Sequence, residues 1–99
     1  MLHCNMHTPL SLQLGLEDIL ADLQHARRCD ELGRLALLAY CDVRCWARQA
    51  GETDVAQRST AIFTEQPHGS KEEFLKQVDH LISDLQQIRP RLMEWQSIH

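Results

Sequence analysis

Two short stretches hold most of the side chains that could do chemistry. Near the amino terminus, MLHCNMH groups His3, Cys4 and His7, with Met6 among them. A histidine in third position lets the terminal amine, two deprotonated amides and the imidazole form a square-planar nitrogen set suited to Cu(II) or Ni(II). Cys4 and Met6 add softer sulfur donors. His3, Cys4 and His7 are therefore the candidate metal ligands. The second stretch is YCDVRCW, residues 40–46, where Cys41 and Cys45 stand about one helical turn apart. Structural zinc sites usually join a C-x2-C pair to a matching second pair, and no C-x2-C occurs in the chain. Helical neighbours four apart also do not readily reach disulfide geometry. Cys41 and Cys45 are expected to act as small apolar side chains.

His25 and His80 fall on the polar faces of their segments, which raises histidine phosphotransfer as a possible chemistry. Such domains carry a Lys and a Gly just downstream. Here His25 is followed by Ala26, Arg27 and Arg28, and His80 by Leu81, Ile82 and Ser83. Solvated surface histidine is the expected role. Ser59 and Ser70 lack a G-x-S-x-G setting, and no G-x-G-x-x-G, P-loop or H-E-x-x-H motif appears. The chain is expected to be neither an enzyme nor the holder of a cofactor.

Helices must position these residues. With 4 Gly and 3 Pro in 99 residues there is little room for the many turns of a β fold. From the loop residues Pro67 and Gly69 onward, Phe74, Val78, Leu81, Leu85, Ile88, Leu92 and Trp95 recur at spacings of four and three, widened by Leu75 and Ile82. Ser70 and Glu73 read as a capping box ahead of this seam. Pro90 predicts a kink, or a break that opens a short final helix. Leu12, Leu16, Ile19, Leu20 and Leu23 give an earlier amphipathic helix starting between Pro9 and Leu16. Val55, Ser59, Ile62 and Phe63 give a short one. The fold class is all-α: a small three-to-four-helix bundle in one domain, built on two long helices at about 30–50 and 71–96. Residues 1–8 are expected to be flexible.

The middle helix, capped by Asp30 and ended by Gly51, carries two apolar stripes. Leu32, Leu35, Ala36, Ala39, Val43, Trp46, Ala47 and Ala50 share one face at about 100° per residue. Leu37, Leu38, Cys41 and Cys45 fall opposite, among Arg34, Arg44 and Arg48. A helix that is apolar on both sides must be covered on both sides. These seven residues, Arg34, Leu37, Leu38, Cys41, Arg44, Cys45 and Arg48, are the expected interface.

Charge narrows the partner. The net charge is −4, and the ten basic residues, eight of them Arg, are scattered rather than clustered. Duplex binding needs a concentrated basic face, because phosphate neutralisation supplies most of the affinity. No apolar run approaches the ~20 residues that span a bilayer, and the first 26 residues lack the Lys or Arg of a secretory leader. Four cysteines without such a leader read as reduced thiols in a cytoplasm. The expectation is a non-enzymatic interaction or regulatory module: a helical homodimer acting as regulator, chaperone or immunity-type adaptor on itself and another protein, without nucleic acid or membrane. Its alternatives are a metal- or redox-responsive protein using the amino-terminal cluster, and the phosphotransfer domain.

Overall fold

The chain's helices begin and end where backbone hydrogen bonding is settled locally. A computed structural model describes residues 9–64 and 71–98, with side-chain surroundings for residues 10–62 and 71–92. Helix α1 spans Pro9–Arg28, α2 Leu32–Leu37, α3 Val43–Ala50, α4 Thr53–Thr64 and α5 Lys71–Ile98. Between α2 and α3 the ladder widens into a π turn over Leu38–Asp42, with right-handed helical dihedrals at each junction. Residues 32–50 are thus one continuous middle helix. Among the described residues there are four such helical runs and no strand. The flexible segment expected at 1–8, the loop at Pro67 and Gly69, and Ser70 of the capping box lie outside them. So do the side chains of Phe63 and Trp95.

Pro9 takes the first position of α1, where its missing N–H costs nothing. The end of α1 differs from expectation. Asp30 does not cap the middle helix; it closes the first one. It adopts a left-handed φ of 57°. Its N–H donates to the Arg27 carbonyl at 3.3 Å, and the Glu31 N–H to the Ala26 carbonyl at 2.9 Å. This is a Schellman motif, with Asp30 where glycine is usual. Aspartate is among the few side chains that tolerate this region. Gly51, at φ 75°, closes α3 the same way, with the Glu52 N–H on the Ala47 carbonyl at 2.8 Å. Helix α5 runs unbroken through Pro90. Pro90 is exposed while Ile88 is buried and Leu92 half-buried, so the proline disturbs the solvent side and the seam keeps its packing.

Cross-links between helices give the topology. Arg27 pairs with Asp79 and Glu17 with Arg89, so α1 and α5 run antiparallel. Arg58 pairs with Asp84 and Glu52 with Arg91, so α4 and α5 do too. The Trp46 indole N–H donates to the Leu12 carbonyl at 2.8 Å while Arg34 lies 3.9 Å from Asp22. The middle helix therefore returns along α1. The result is an up-down-up-down bundle in which α1 neighbours α5 and the middle helix, and α4 closes the ring. At about 1.5 Å per residue, the 28 residues of α5 set the 45 Å long dimension.

The core takes one stripe from each helix: Leu16, Leu20, Leu23 and Ala26; Leu35, Leu38, Ala39, Val43, Trp46 and Ala47; Val55 and Ile62; Leu75, Val78, Leu81, Leu85 and Ile88. Ser59 is the one buried polar side chain among the described residues, and its hydroxyl donates to the Ala39 carbonyl.

Leu38 corrects the sequence reading, and the π turn explains how. An i→i+5 turn takes up one residue more than an α turn, so the helix phase slips by about 100°. With Val43, Trp46 and Ala47 held in the core, the slip turns Leu38 inward, to 6% exposure. It also swings Leu32, expected in the core, out to 36%. The same rotation brings Leu37 into line with Cys41 and Cys45.

Candidate functional site

Leu37, Cys41 and Cys45 form a single stripe on the side of the middle helix opposite the core. Leu37 is 65% exposed, the largest value among the exposed leucines, and both cysteines are exposed and unbridged. Beside the stripe lies a hollow of about 330 Å³ lined by Tyr40, Cys41, Arg44, Cys45, Arg48 and Gln49. The Arg44 guanidinium sits 5.1 Å from the centre of the Tyr40 ring, a cation–π contact that holds the wall of the hollow. Gln49 donates its side-chain N–H to the Cys45 sulfur at 3.3 Å. On the other side of Arg44 and Arg48, a wider groove of about 570 Å³ runs between α3 and α4 over the small residues Ala47, Gly51, Ala56 and Ala61.

Five of the seven expected interface residues therefore lie on or beside one outward face; Leu38 is buried, and Arg34 reaches toward Asp22 of α1 and Glu31. Tyr40 and Gln49 join the face without having been expected. Tyr40 sits among the two thiols in YCDVRCW, but its place depends on the phase slip, which a constant 100° period cannot show.

The cations divide into two groups. Arg27, Arg34, Arg58, Lys71, Arg89 and Arg91 each reach a carboxylate, most of them across a helix–helix boundary. The hydrogen bond from Arg27 to Asp79 holds the guanidinium above its ordinary pKa, with burial opposing and the charges of Asp79 and Asp30 adding. Arg28, Arg44, Arg48 and Lys76 make no ion pair among the described residues. Of these, Arg44 and Arg48 line the hollow.

The candidate metal ligands His3, Cys4 and His7 lie outside the described residues. A different donor set appears at the end of α1. His25, Cys29 and Glu31 are all exposed, and one donor atom from each lies within 4.8 Å of the others. The Cys29 sulfur is 3.7 Å from His25 Nε2. The i, i+4 spacing of His25 and Cys29 is visible in the sequence. The chain reversal that returns Glu31 is not, because an Asp stands where a glycine would announce it. His80 is exposed on α5, far along the chain from this cluster.

No helix among the described residues is long and apolar enough to cross a membrane. No known protein family, no curated protein and no solved structure matches the chain.

Proposed function

We propose that this protein is a non-enzymatic interaction module that acts as a homodimer through the outward face of its middle helix. The observation that carries the reading is the stripe of Leu37, Cys41 and Cys45 beside the hollow, apolar surface left uncovered among the described residues. Burying a leucine is worth about 1.5–3 kcal/mol, so Leu37 at 65% exposure leaves most of that unrealised.

A second copy fits this face. Two middle helices packed antiparallel about a two-fold at Cys41 set Leu37 of each against the space bounded by Cys41, Arg44, Cys45 and Arg48 of the other. That i, i+3, i+4, i+7 set is the hole into which a helix knob inserts, and all four residues line the hollow. The interface is isologous, as a two-fold requires. Arg44 and Arg48 form its rim and leave charge for an acidic second partner. The exposed, unbridged Cys29, Cys41 and Cys45 suit a reducing compartment, which favours the cytoplasm.

Sedimentation equilibrium from about 1 to 200 µM tests the reading; an interface of this limited size is expected to associate in the micromolar range. A concentration-dependent dimer is expected, and mild oxidation should link it through Cys41 on the axis. Cys41→Ser should abolish the covalent dimer and Cys45→Ser should leave it. A folded monomer throughout the range, or crosslinking indifferent to Cys41, overturns it.

A further inference from the structure

We propose that His25, Cys29 and Glu31 form a binding site for a divalent metal ion of the zinc type. The site shares no residue with the dimer face or with the amino-terminal set of His3, Cys4 and His7.

The backbone carries the argument first. In the Schellman motif that ends α1, His25 lies in the last turn, Cys29 is the residue before the left-handed Asp30, and Glu31 is the one after it. The Cys29 N–H donates to the His25 carbonyl at 3.0 Å and the Glu31 N–H to the Ala26 carbonyl at 2.9 Å. Three hydrogen-bonded positions therefore hold the roots of the three side chains over one turn. Helical spacing alone would supply two ligands; the reversal at Asp30 supplies the third. Asp30 itself is paired with Lys71.

The distances agree with the chemistry. With Zn–N near 2.0–2.1 Å and Zn–S near 2.3 Å, a tetrahedral zinc holds its nitrogen and sulfur about 3.6 Å apart. Cys29 Sγ and His25 Nε2 stand 3.7 Å apart. Glu31 completes the set with a carboxylate oxygen within 4.8 Å of the other two donors. Its present contact, to Arg34 at 4.0 Å, is a long and exposed ion pair that competes weakly.

A soft thiolate and an imidazole, joined by one harder carboxylate, prefer zinc to magnesium or calcium. Three protein ligands on an exposed turn leave the fourth position to water or to a ligand from a partner. When the Zn–S bond forms, the thiol proton passes to buffer and the imidazole binds in its neutral form. Bound metal bridges the end of α1 and the start of α2, so occupancy stabilises the folded chain by mass action.

The test uses the full untagged chain carrying His3→Ala, Cys4→Ser and His7→Ala, which removes the amino-terminal donors. Cobalt(II) is the optical probe and zinc(II) the competitor. One equivalent of cobalt is expected, with a sulfur-to-cobalt charge-transfer band that zinc displaces, and zinc should raise the melting temperature. Adding Cys29→Ser should remove the band and weaken zinc binding at least about tenfold, as should His25→Ala, with Glu31→Gln weakening it less. Cys41→Ser and Cys45→Ser should leave all of this unchanged. Without metal, each variant should melt like its parent, since all three side chains are exposed. A cobalt spectrum that survives Cys29→Ser, or no zinc binding below millimolar concentration, overturns the site. Neither result bears on whether the chain dimerises.

Discussion

The Ser59 hydroxyl donates to the carbonyl of Ala39, from α4 into the π turn of the middle helix. Ser59 is fully buried. It meets the middle helix where the backbone ladder leaves its regular spacing, and it satisfies an acceptor there that water does not reach. A buried polar group left without its partner costs about 1–3 kcal/mol. Ser59→Ala should lower the unfolding free energy by that amount in urea titration. In a chain of this length it should lower the melting temperature by about 4–8 °C per kcal/mol. An unchanged midpoint would show that the hydroxyl is dispensable to the turn.

Gly15 and Trp46 make a second fitted contact. A Cβ at position 15 would meet the indole Cδ1 at 3.2 Å, tighter than ordinary packing, on the same side of α1 where the Trp46 N–H reaches the Leu12 carbonyl. Gly15→Ala gains up to about 1 kcal/mol of helix propensity and spends it moving the ring. Stability should stay within about 1 kcal/mol of the parent. Gly15→Val adds two methyl groups beyond alanine beside an indole already in tight contact, and overpacking of that kind costs about 1–3 kcal/mol. Thermal melts of the two variants should therefore separate clearly.

Asp30 holds its left-handed φ at the reversal between α1 and α2. Glycine takes this conformation without strain, whereas a β-branched side chain is strongly disfavoured there. Asp30→Gly should cost little, the backbone relief offsetting the exposed pair with Lys71. Asp30→Val should destabilise by about 1–2 kcal/mol and also displace Glu31. Equal stabilities for the two variants would contradict a conformational cause.

The Arg27–Asp79 pair gives a pH prediction with a definite sign. The folded-state pKa of Arg27 is raised by its hydrogen bond to Asp79, so its stabilising effect is complete below the ordinary arginine range and fades only as pH climbs through the still higher folded value. Between pH 7 and 10, titration of Arg27 should therefore contribute no loss of stability. The side chains are 34% and 51% exposed, so a double-mutant cycle with Arg27→Ala and Asp79→Ala should give about 0.2–1 kcal/mol, diminished by salt. A coupling of several kcal/mol, or a melting temperature difference that appears between pH 7 and 10, would be inconsistent with an exposed pair.

What the sequence displayed and what it hid follow from period. The seam through Val78, Leu81, Leu85 and Ile88 is legible because α5 keeps one period throughout, and all four are buried. The α1 stripe is legible for the same reason. The middle helix keeps its period on either side of residues 38–42 but not across them, so an unbroken wheel puts Leu32 inside and Leu38 outside, the reverse of their places. No residue type in LAYCD marks the widening. The buried serine that meets it stands twenty positions away and becomes its neighbour only in the bundle. The donor cluster was hidden similarly: half of it is a local spacing, and the other half depends on an aspartate adopting a glycine's conformation.

Leu37 and Leu38 supply the sharpest check on this phase. They are adjacent in sequence, identical in composition, and 65% and 6% exposed. Leu38→Asp buries a carboxylate in the core without a partner, among the costliest single changes, and should unfold the chain or cost at least about 3–5 kcal/mol. Leu37→Asp meets water and removes an exposed apolar side chain, so the isolated subunit should keep its helical circular dichroism and its melting temperature to within a few degrees. Association is probed with Leu37→Lys, which is equally exposed in the subunit. Its ammonium would stand between Arg44 and Arg48 of a second copy, and like-charge repulsion should shift the sedimentation profile to monomer. A Leu38→Asp variant as well folded as Leu37→Asp would mean that the middle helix runs through residues 38–42 without the slip. Leu38 would then lie outward beside the thiols, and the face would have to be redrawn.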